Sequence, residues 1–141
     1  MDSISKRLRF ELHRNEIYED GMNSHLSDAI ESAMIEDSSE TLKFLSDGLK
    51  DETIVGEKAS EVLRAIGRID DEICHKEILD ILTAALQMDS YWIRDGATIG
   101  LSHLNDVMAI VPLQIAADNE REPMLKEYML LTSQELFELG S

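Results

Sequence analysis

A recurring spacing of apolar side chains limits the fold of this chain more than any other feature of its sequence. The first copy is Val55, Ala59, Val62, Leu63 and Ile66, at positions i, i+4, i+7, i+8 and i+11. The second, 38 residues later, is Ile93, Ala97, Gly100, Leu101 and Leu104, and the third is Leu125, Met129, Thr132, Ser133 and Leu136. This spacing puts five positions on one face of an α-helix, and its recurrence predicts a stack of repeated helical units. The alternative is an ordinary helical bundle whose helices share this spacing by chance.

Further helices are predicted between these copies. One runs from about residue 74 to 87, with Ile78, Ile81, Leu82 and Ala85 inward, and another from about residue 106 to 117, with Val107, Ile110, Val111 and Ile115 inward. Pro112 is expected to kink the second of these, since proline lacks the N–H group that a helix interior requires. In the third copy, Thr132 and Ser133 replace apolar residues, which is typical of a terminal repeat whose outer face meets water.

The N-terminal third predicts three more helices. The first covers about residues 3 to 19 and is ended by Asp20-Gly21. The apolar period from Leu26 to Met34 predicts the second, and Leu42, Leu45 and Leu49 predict the third. Between the second and third helices, Asp37 is followed three residues later by Glu40, which is the spacing of a helix N-cap. We expect this short polar turn to make the two helices pack antiparallel.

Two segments resemble HEAT repeats. Residues 109–118 are similar to the proline-containing helix that ends in an aspartate, and residues 89–97 resemble the element that follows, an aspartate with an aliphatic–arginine pair and an alanine. The resemblance implies an all-α fold, a short right-handed α-solenoid of antiparallel helix pairs with about seven or eight helices. We expect one domain, 1–141, with N-terminal helices in 1–37 and HEAT-like repeats in 38–138. Gly56 and Lys126 stand where Arg94 would align, so no continuous aspartate–arginine ladder is implied.

The charge balance restricts the possible partners. Thirteen basic and 29 acidic residues give a net charge of −16, which repels the phosphates of DNA and RNA and attracts basic proteins. HEAT-like proteins are mostly binding surfaces, and short acidic ones resemble immunity proteins of bacterial toxin systems, including contact-dependent inhibition. This resemblance implies a protein that occludes a basic, nuclease-type toxin domain. The alternatives are an adaptor or regulatory scaffold, and a HEAT-like lyase or repair enzyme, which the net charge disfavours.

No motif for catalysis, metal binding or cofactor binding stands out. Glu72-Ile73-Cys74-His75 has the Glu-x-x-His spacing of di-iron bundles, but such a site needs a second copy and two more glutamates. Cys74 is the only cysteine, which excludes an intramolecular disulfide and fits the reducing cytoplasm. No apolar stretch is long enough to cross a membrane. We therefore predict a cytoplasmic, non-catalytic protein without cofactors; the sequence leaves its oligomeric state open.

The repeat helices also predict a binding face. It consists of residues at non-core positions, acidic ones interleaved with a few aromatic ones: Glu57, Glu61, Tyr91, Trp92, Asp95, His103, Tyr128 and Glu135. Tyr91 and Trp92 are adjacent, so at most one can point fully inward, and either could be an exposed anchor. The alternatives are that both rings pack into a groove between repeats and that the face is only solvated. Arg94 is expected to have a structural role, through Asp89 or a ring.

Overall fold

Helices form nearly all the regular structure in residues 3–19 and 22–140, the part of the chain that the computed structural model describes. They are α1 Ile4–Leu12, α2 His25–Lys50, α3 Gly56–Ile69, α4 His75–Ala85, α5 Tyr91–Leu104, α6 Ile110–Asn119 and α7 Pro123–Gly140. A 3₁₀ turn, Val107–Ala109, precedes α6, and no β-strand occurs in these two ranges. The prediction of an all-α fold is confirmed. None of the described helices is both long and apolar enough to span a bilayer.

The first helix is shorter than the sequence predicted. The Ser3 hydroxyl caps α1 by accepting the Lys6 N–H at 3.1 Å, and α1 ends at Leu12 rather than near residue 19. Its buried face is Ile4, Leu8 and Leu12, four residues apart. Ile17 and Tyr18 do not continue this period, so an extended helix would gain no further apolar face. The stop predicted at Asp20-Gly21 lies outside the described residues.

The polar turn predicted near Asp37 is reduced to one residue. Asp37 has φ −159° and ψ 94°, which interrupts α2 within its bounds. The Asp37 carboxylate accepts the Glu40 N–H at 3.0 Å, and its carbonyl accepts the Thr41 hydroxyl at 2.8 Å. The first of these bonds satisfies an N–H group that the start of a helix leaves unpaired. The cap predicted at Asp37 is confirmed.

The three copies of the apolar spacing form the centre of the core. Every residue of the copies is buried except Val55, which is 55% exposed at the N-cap of α3. The prediction that Thr132 and Ser133 mark a water-facing surface is wrong, because they are only 1% and 5% exposed. The Ser133 hydroxyl donates to the Leu130 carbonyl at 2.9 Å, which lets this polar side chain lie in the core.

Helices α3 and α5 approach each other unusually closely through glycines. A Cβ atom on Gly96 would lie 2.6 Å from the Ser60 Cα, and one on Gly67 would lie 2.2 Å from the Gly100 oxygen. The residue numbers of these contacts rise together along both helices, so α3 and α5 run parallel. Helix α5 in turn contacts α7. The three helices that carry the apolar spacing therefore pack in chain order.

The inward face of α6 differs from the predicted one. Its buried residues are Leu113, Ala116 and Ala117, whereas Val111 and Ile115 are 60% and 50% exposed. Residues 107–117 are apolar on almost every side, so their periodicity did not distinguish the two faces, and the small alanines are buried instead. The predicted kink at Pro112 is also wrong. Pro112 lies in the first turn of α6, where the missing N–H group costs no intrahelical bond.

Candidate protein-interaction surface

Two aromatic side chains begin α5 and lie half out of the protein. The Ser90 hydroxyl caps this helix by accepting the Ile93 N–H at 3.4 Å. The Tyr91 and Trp92 rings meet edge to face, with centroids 5.7 Å apart and planes at 74°. Each residue is 41% exposed, whereas Ile93 is 5% exposed. Neither aromatic residue is buried, and both remain accessible to a binding partner.

Arg94 holds this end of α5 in place. Its Nε and Nη2 atoms donate to the two carboxylate oxygens of Glu120 at 2.7 and 3.1 Å, and its Nη1 donates to the main-chain carbonyls of Met88 and Asp89 at 3.1 and 2.6 Å. Burial alone would raise the pKa of Glu120, but the Arg94 hydrogen bonds bring it below its ordinary value. A paired carboxylate with a 1% exposed side chain thus ties the α6–α7 connection to the start of α5. The structural role predicted for Arg94 is confirmed, through the Asp89 carbonyl rather than its carboxylate.

Negative charge surrounds the aromatic pair. Asp95 lies one helical turn after Tyr91, and Glu122 follows the Glu120 that Arg94 binds. The pKa of Tyr91 is raised, first by partial burial and then by the charges of Asp95, Glu122 and Glu120. Residues 86–141 contain nine acidic and three basic side chains, 3 − 9 = −6, and one of the three, Arg94, is already paired.

Glu61 does not belong to the exposed face that the sequence predicted. It is 0% exposed. Its carboxylate lies 3.1 Å from Nη2 of Arg64 and accepts the Ser24 hydroxyl at 2.5 Å. Ser24 caps α2, so Glu61 links the start of α2 to α3. Tyr18 lies close by, and burial together with the charges of Glu16 and Glu61 raises the pKa of its hydroxyl to about 12. Glu61 is a buried structural carboxylate, and this prediction is corrected.

The other predicted residues are distributed over α3, α5 and α7. Glu57 is exposed on α3 and Glu135 is exposed on α7, whereas His103 is half-buried on α5. The Tyr128 hydroxyl donates to the Ser102 hydroxyl at 3.3 Å, which joins α7 to α5. The structure therefore brings Tyr91, Trp92 and Asp95 together at one end of α5, while Tyr128 contacts α5 near its other end.

His75 has a role that the sequence reasoning did not find. Its Nδ1 lies 2.6 Å from a carboxylate oxygen of Asp70, and its Nε2 lies 2.7 Å from one of Asp106. Hydrogen bonds to Asp106 and then Asp70 raise the pKa of His75 above its ordinary value. Burial alone would raise the pKa of Asp106, but hydrogen bonds from His75 and the Met108 N–H bring it below the usual range. The histidine joins the α3–α4 turn to the residue that caps the 3₁₀ turn.

This arrangement bears on the Glu-x-x-His motif. Both ring nitrogens of His75 are engaged by carboxylates, whereas Glu72 is exposed. Cys74 is 6% exposed, with its sulfur 3.1 Å from the Ser38 hydroxyl. Across the described ranges, no group of three or more His, Cys, Asp or Glu side chains could hold a metal ion. Periodicity could not reveal the His75 contacts, because Asp106 is 31 residues away in sequence.

A second feature missed from the sequence is apolar surface on the last two helices. Val111 and Ile115 on α6 and Leu130, Leu131 and Phe137 on α7 are between 45% and 60% exposed.

No protein-family model, no curated protein and no solved structure is significantly similar to this chain. The resemblance to HEAT repeats therefore remains a prediction.

Proposed function

We propose that this protein is a non-catalytic binding module, a short right-handed HEAT-like α-solenoid that binds a basic protein. The single observation that carries the proposal is the half-exposed Tyr91–Trp92 pair, set in acidic surroundings at a firmly anchored helix end. In its most specific form, the protein is an immunity protein that occludes a basic, nuclease-type toxin domain. Such a toxin has to hold nucleic acid phosphates and therefore presents positive charge to an acidic inhibitor.

The contacts between helices support the solenoid part of the proposal. Stacked repeats place equivalent helices side by side and parallel, each contacting its neighbours along the chain. Helices α3 and α5, related by the 38-residue offset, run parallel in close contact, and α5 contacts α7. Glu57, Asp95 and Glu127 occupy the same position of the repeated spacing in these three helices. In a solenoid they form a row of carboxylates.

Aromatic and acidic side chains have different roles in such an interface. Tryptophan and tyrosine dominate binding energy where the partner covers them, since they bury much apolar area and lose little conformational freedom. Carboxylates act at longer range, because they attract a basic partner and speed its capture. The proposed complex should therefore form quickly at low salt and more slowly as salt screens these charges.

The test is binding to, and neutralisation of, a purified basic toxin domain encoded beside this gene in its native genome. We expect a one-to-one complex by calorimetry, loss of toxin activity, and an association rate that falls as NaCl rises from 50 to 500 mM, roughly the range over which exposed charges become screened. Failure of the purified toxin domain to bind, or an association rate independent of salt, contradicts the proposal.

A charge-matched pair of variants separates local from global electrostatics. Asp95→Asn removes a charge beside the aromatic pair, and Glu77→Gln removes an exposed charge on α4. We expect the association rate to fall about two- to threefold for Asp95→Asn, and less for Glu77→Gln, because exposed charges contribute most at short range. If the two variants lower the association rate equally, the N-terminal end of α5 is not part of the interface.

A further inference from the structure

The Tyr91 and Trp92 rings stand nearly at right angles, and we call the angle between them the Tyr91–Trp92 corner. Their planes meet at 74°, and 41% of each residue is accessible to solvent. The face of an aromatic ring carries partial negative charge and attracts a cation placed over it, tryptophan most strongly. Two rings nearly at right angles can contact one cation from two sides, which a stacked pair cannot do.

Among residues 3–19 and 22–140, no arginine or lysine side chain lies over the Tyr91 or Trp92 ring. In these ranges, the cation–π contacts are Arg9 over the Phe44 ring, at 5.3 Å, and Arg14 over the Phe10 ring, at 5.7 Å. Arg94 lies two residues after Trp92 in the sequence, but its guanidinium already donates hydrogen bonds to Glu120 and to two main-chain carbonyls. The corner is therefore accessible to a cation from outside the chain.

The surrounding charges favour a cation over any other occupant. Asp95 lies one turn along α5 on the same side as Tyr91, and the Arg94–Glu120 pair brings the residues around Glu122 to the start of α5. An anion would be repelled here, and a purely apolar side chain would gain nothing from the carboxylates. A cation gains from both the rings and the acids.

We infer that the Tyr91–Trp92 corner is the seat for one arginine or lysine side chain of the basic partner, held over the two rings beside the carboxylate of Glu122. This inference rests on the proposed function and names the partner group that the surface recognises. The guanidinium or ammonium group enters from solvent, while the aliphatic part of its side chain covers the ring edges.

Trp92 is the only tryptophan of the chain, so its fluorescence reports on this corner alone. The probe is a blocked peptide in which arginine alternates with glycine, and its control replaces arginine by citrulline, a neutral side chain of nearly the same shape. We expect the arginine peptide to cause a saturable change in Trp92 emission, with affinity several-fold higher than that of the citrulline peptide. Equal titrations by the two peptides overturn the inference.

Three variants test the geometry. Tyr91→Leu keeps apolar area but removes one ring, and should weaken arginine-peptide binding about two- to fivefold. Tyr91→Phe keeps the ring and should restore most of the affinity. Phe137→Leu, which alters a 60% exposed aromatic residue on α7, is the matched control and should leave affinity unchanged. A loss in Phe137→Leu equal to that in Tyr91→Leu also overturns the inference.

The purified toxin domain distinguishes this inference from the proposed function. If wild-type protein and Tyr91→Leu bind the domain with equal affinity by calorimetry, the cation seat is wrong and the proposed function stands. If the domain does not bind wild-type protein at all, the proposed function is wrong, whatever the peptides do. Far-UV circular dichroism of each variant verifies that the helices are intact.

Discussion

The close approach of α3 and α5 leads to a prediction about Gly67 whose sign is opposite to that for an ordinary helical glycine. In the interior of a helix, replacing glycine by alanine normally stabilises a protein by about 1 kcal/mol, because alanine has the higher helix propensity. At Gly67, however, the new Cβ would lie 2.2 Å from the main-chain oxygen of Gly100. Real Cβ atoms essentially never come within 3.0 Å of an atom outside their own residue and its chain neighbours, so the two helices must separate by about 3.0 − 2.2 = 0.8 Å.

That separation has a calculable cost. A gap of this size removes roughly a quarter to a half of the dispersion energy of each contact across the interface. The opposing atom belongs to the backbone, which cannot rotate away, so we take the upper part of the overpacking range, about 3 kcal/mol. After the gain of about 1 kcal/mol in helix propensity, Gly67→Ala should lower the free energy of unfolding by about 2 kcal/mol. For a chain of this size the melting temperature should fall by about 8 °C.

The assay is urea unfolding followed by circular dichroism at 222 nm, with the slope against urea fitted for each protein. Gly140→Ala is the control. Its Cβ would lie 2.7 Å from a Val107 methyl group, which can rotate away, so we expect a change within about 0.5 kcal/mol. If Gly67→Ala unfolds at higher urea than wild type with the slope unchanged, the close parallel packing of α3 and α5 is wrong.

Two further predictions concern the ion pairs that join the turns. The pKa of His75 is higher in the folded protein than its value of 6.5 in the unfolded chain. The stabilisation from the His75 ion pairs is therefore fully present below pH 6.5 and is lost as the pH rises through the folded pKa. Because the His75 side chain is 34% exposed, solvent weakens this stabilisation. His75→Gln should therefore lower the free energy of unfolding by about 1 kcal/mol at pH 6 and by less at pH 9. Urea unfolding at both pH values measures this difference. An equal loss of stability at the two pH values contradicts the prediction. Arg94→Ala leaves the buried Glu120 carboxylate unpaired and should cost about 3 kcal/mol. The double variant Arg94→Met/Glu120→Leu should have a higher melting temperature than Arg94→Ala alone, because it leaves no buried charge unpaired. A lower melting temperature for the double variant would show that the desolvation of Glu120 is not the main reason why Arg94→Ala loses stability.

The sequence predicted the helices better than it predicted their ends and faces. In α3, the apolar residues of the repeated spacing were predicted correctly as buried except Val55, whereas Glu61 on the same helix was wrongly assigned to the exposed face. Residues 107–117 are apolar on almost all sides, and there the inward face was wrong. Thr132 and Ser133 were read as surface because of their polarity, but a serine that bonds its own helix can be buried at little cost.

The candidate surface was predicted less completely. Tyr91 and Trp92 could be selected because they are adjacent on a predicted helix, so at most one of them could point fully inward. Glu61 was selected by the same reasoning as Glu57, four residues earlier, and only the partners supplied by Ser24 and Arg64 distinguish the two. Such partners come from other elements, and no local pattern identifies them.

The sequence by itself determined an all-α chain, its strong negative charge and the apolar faces of the repeated helices, because these depend on residue type and on the 3.6-residue period of a helix. The tertiary structure alone decided the parallel contact of α3 and α5, the burial of Glu61, the ion pairs of His75 and Arg94, and the Tyr91–Trp92 corner. Each of these brings together residues that are distant in sequence or sets the orientation of a side chain, and the cost of burying a charge depends on which partner arrives. The feature on which the proposed function depends most, two aromatic rings left accessible among carboxylates, is of this second kind.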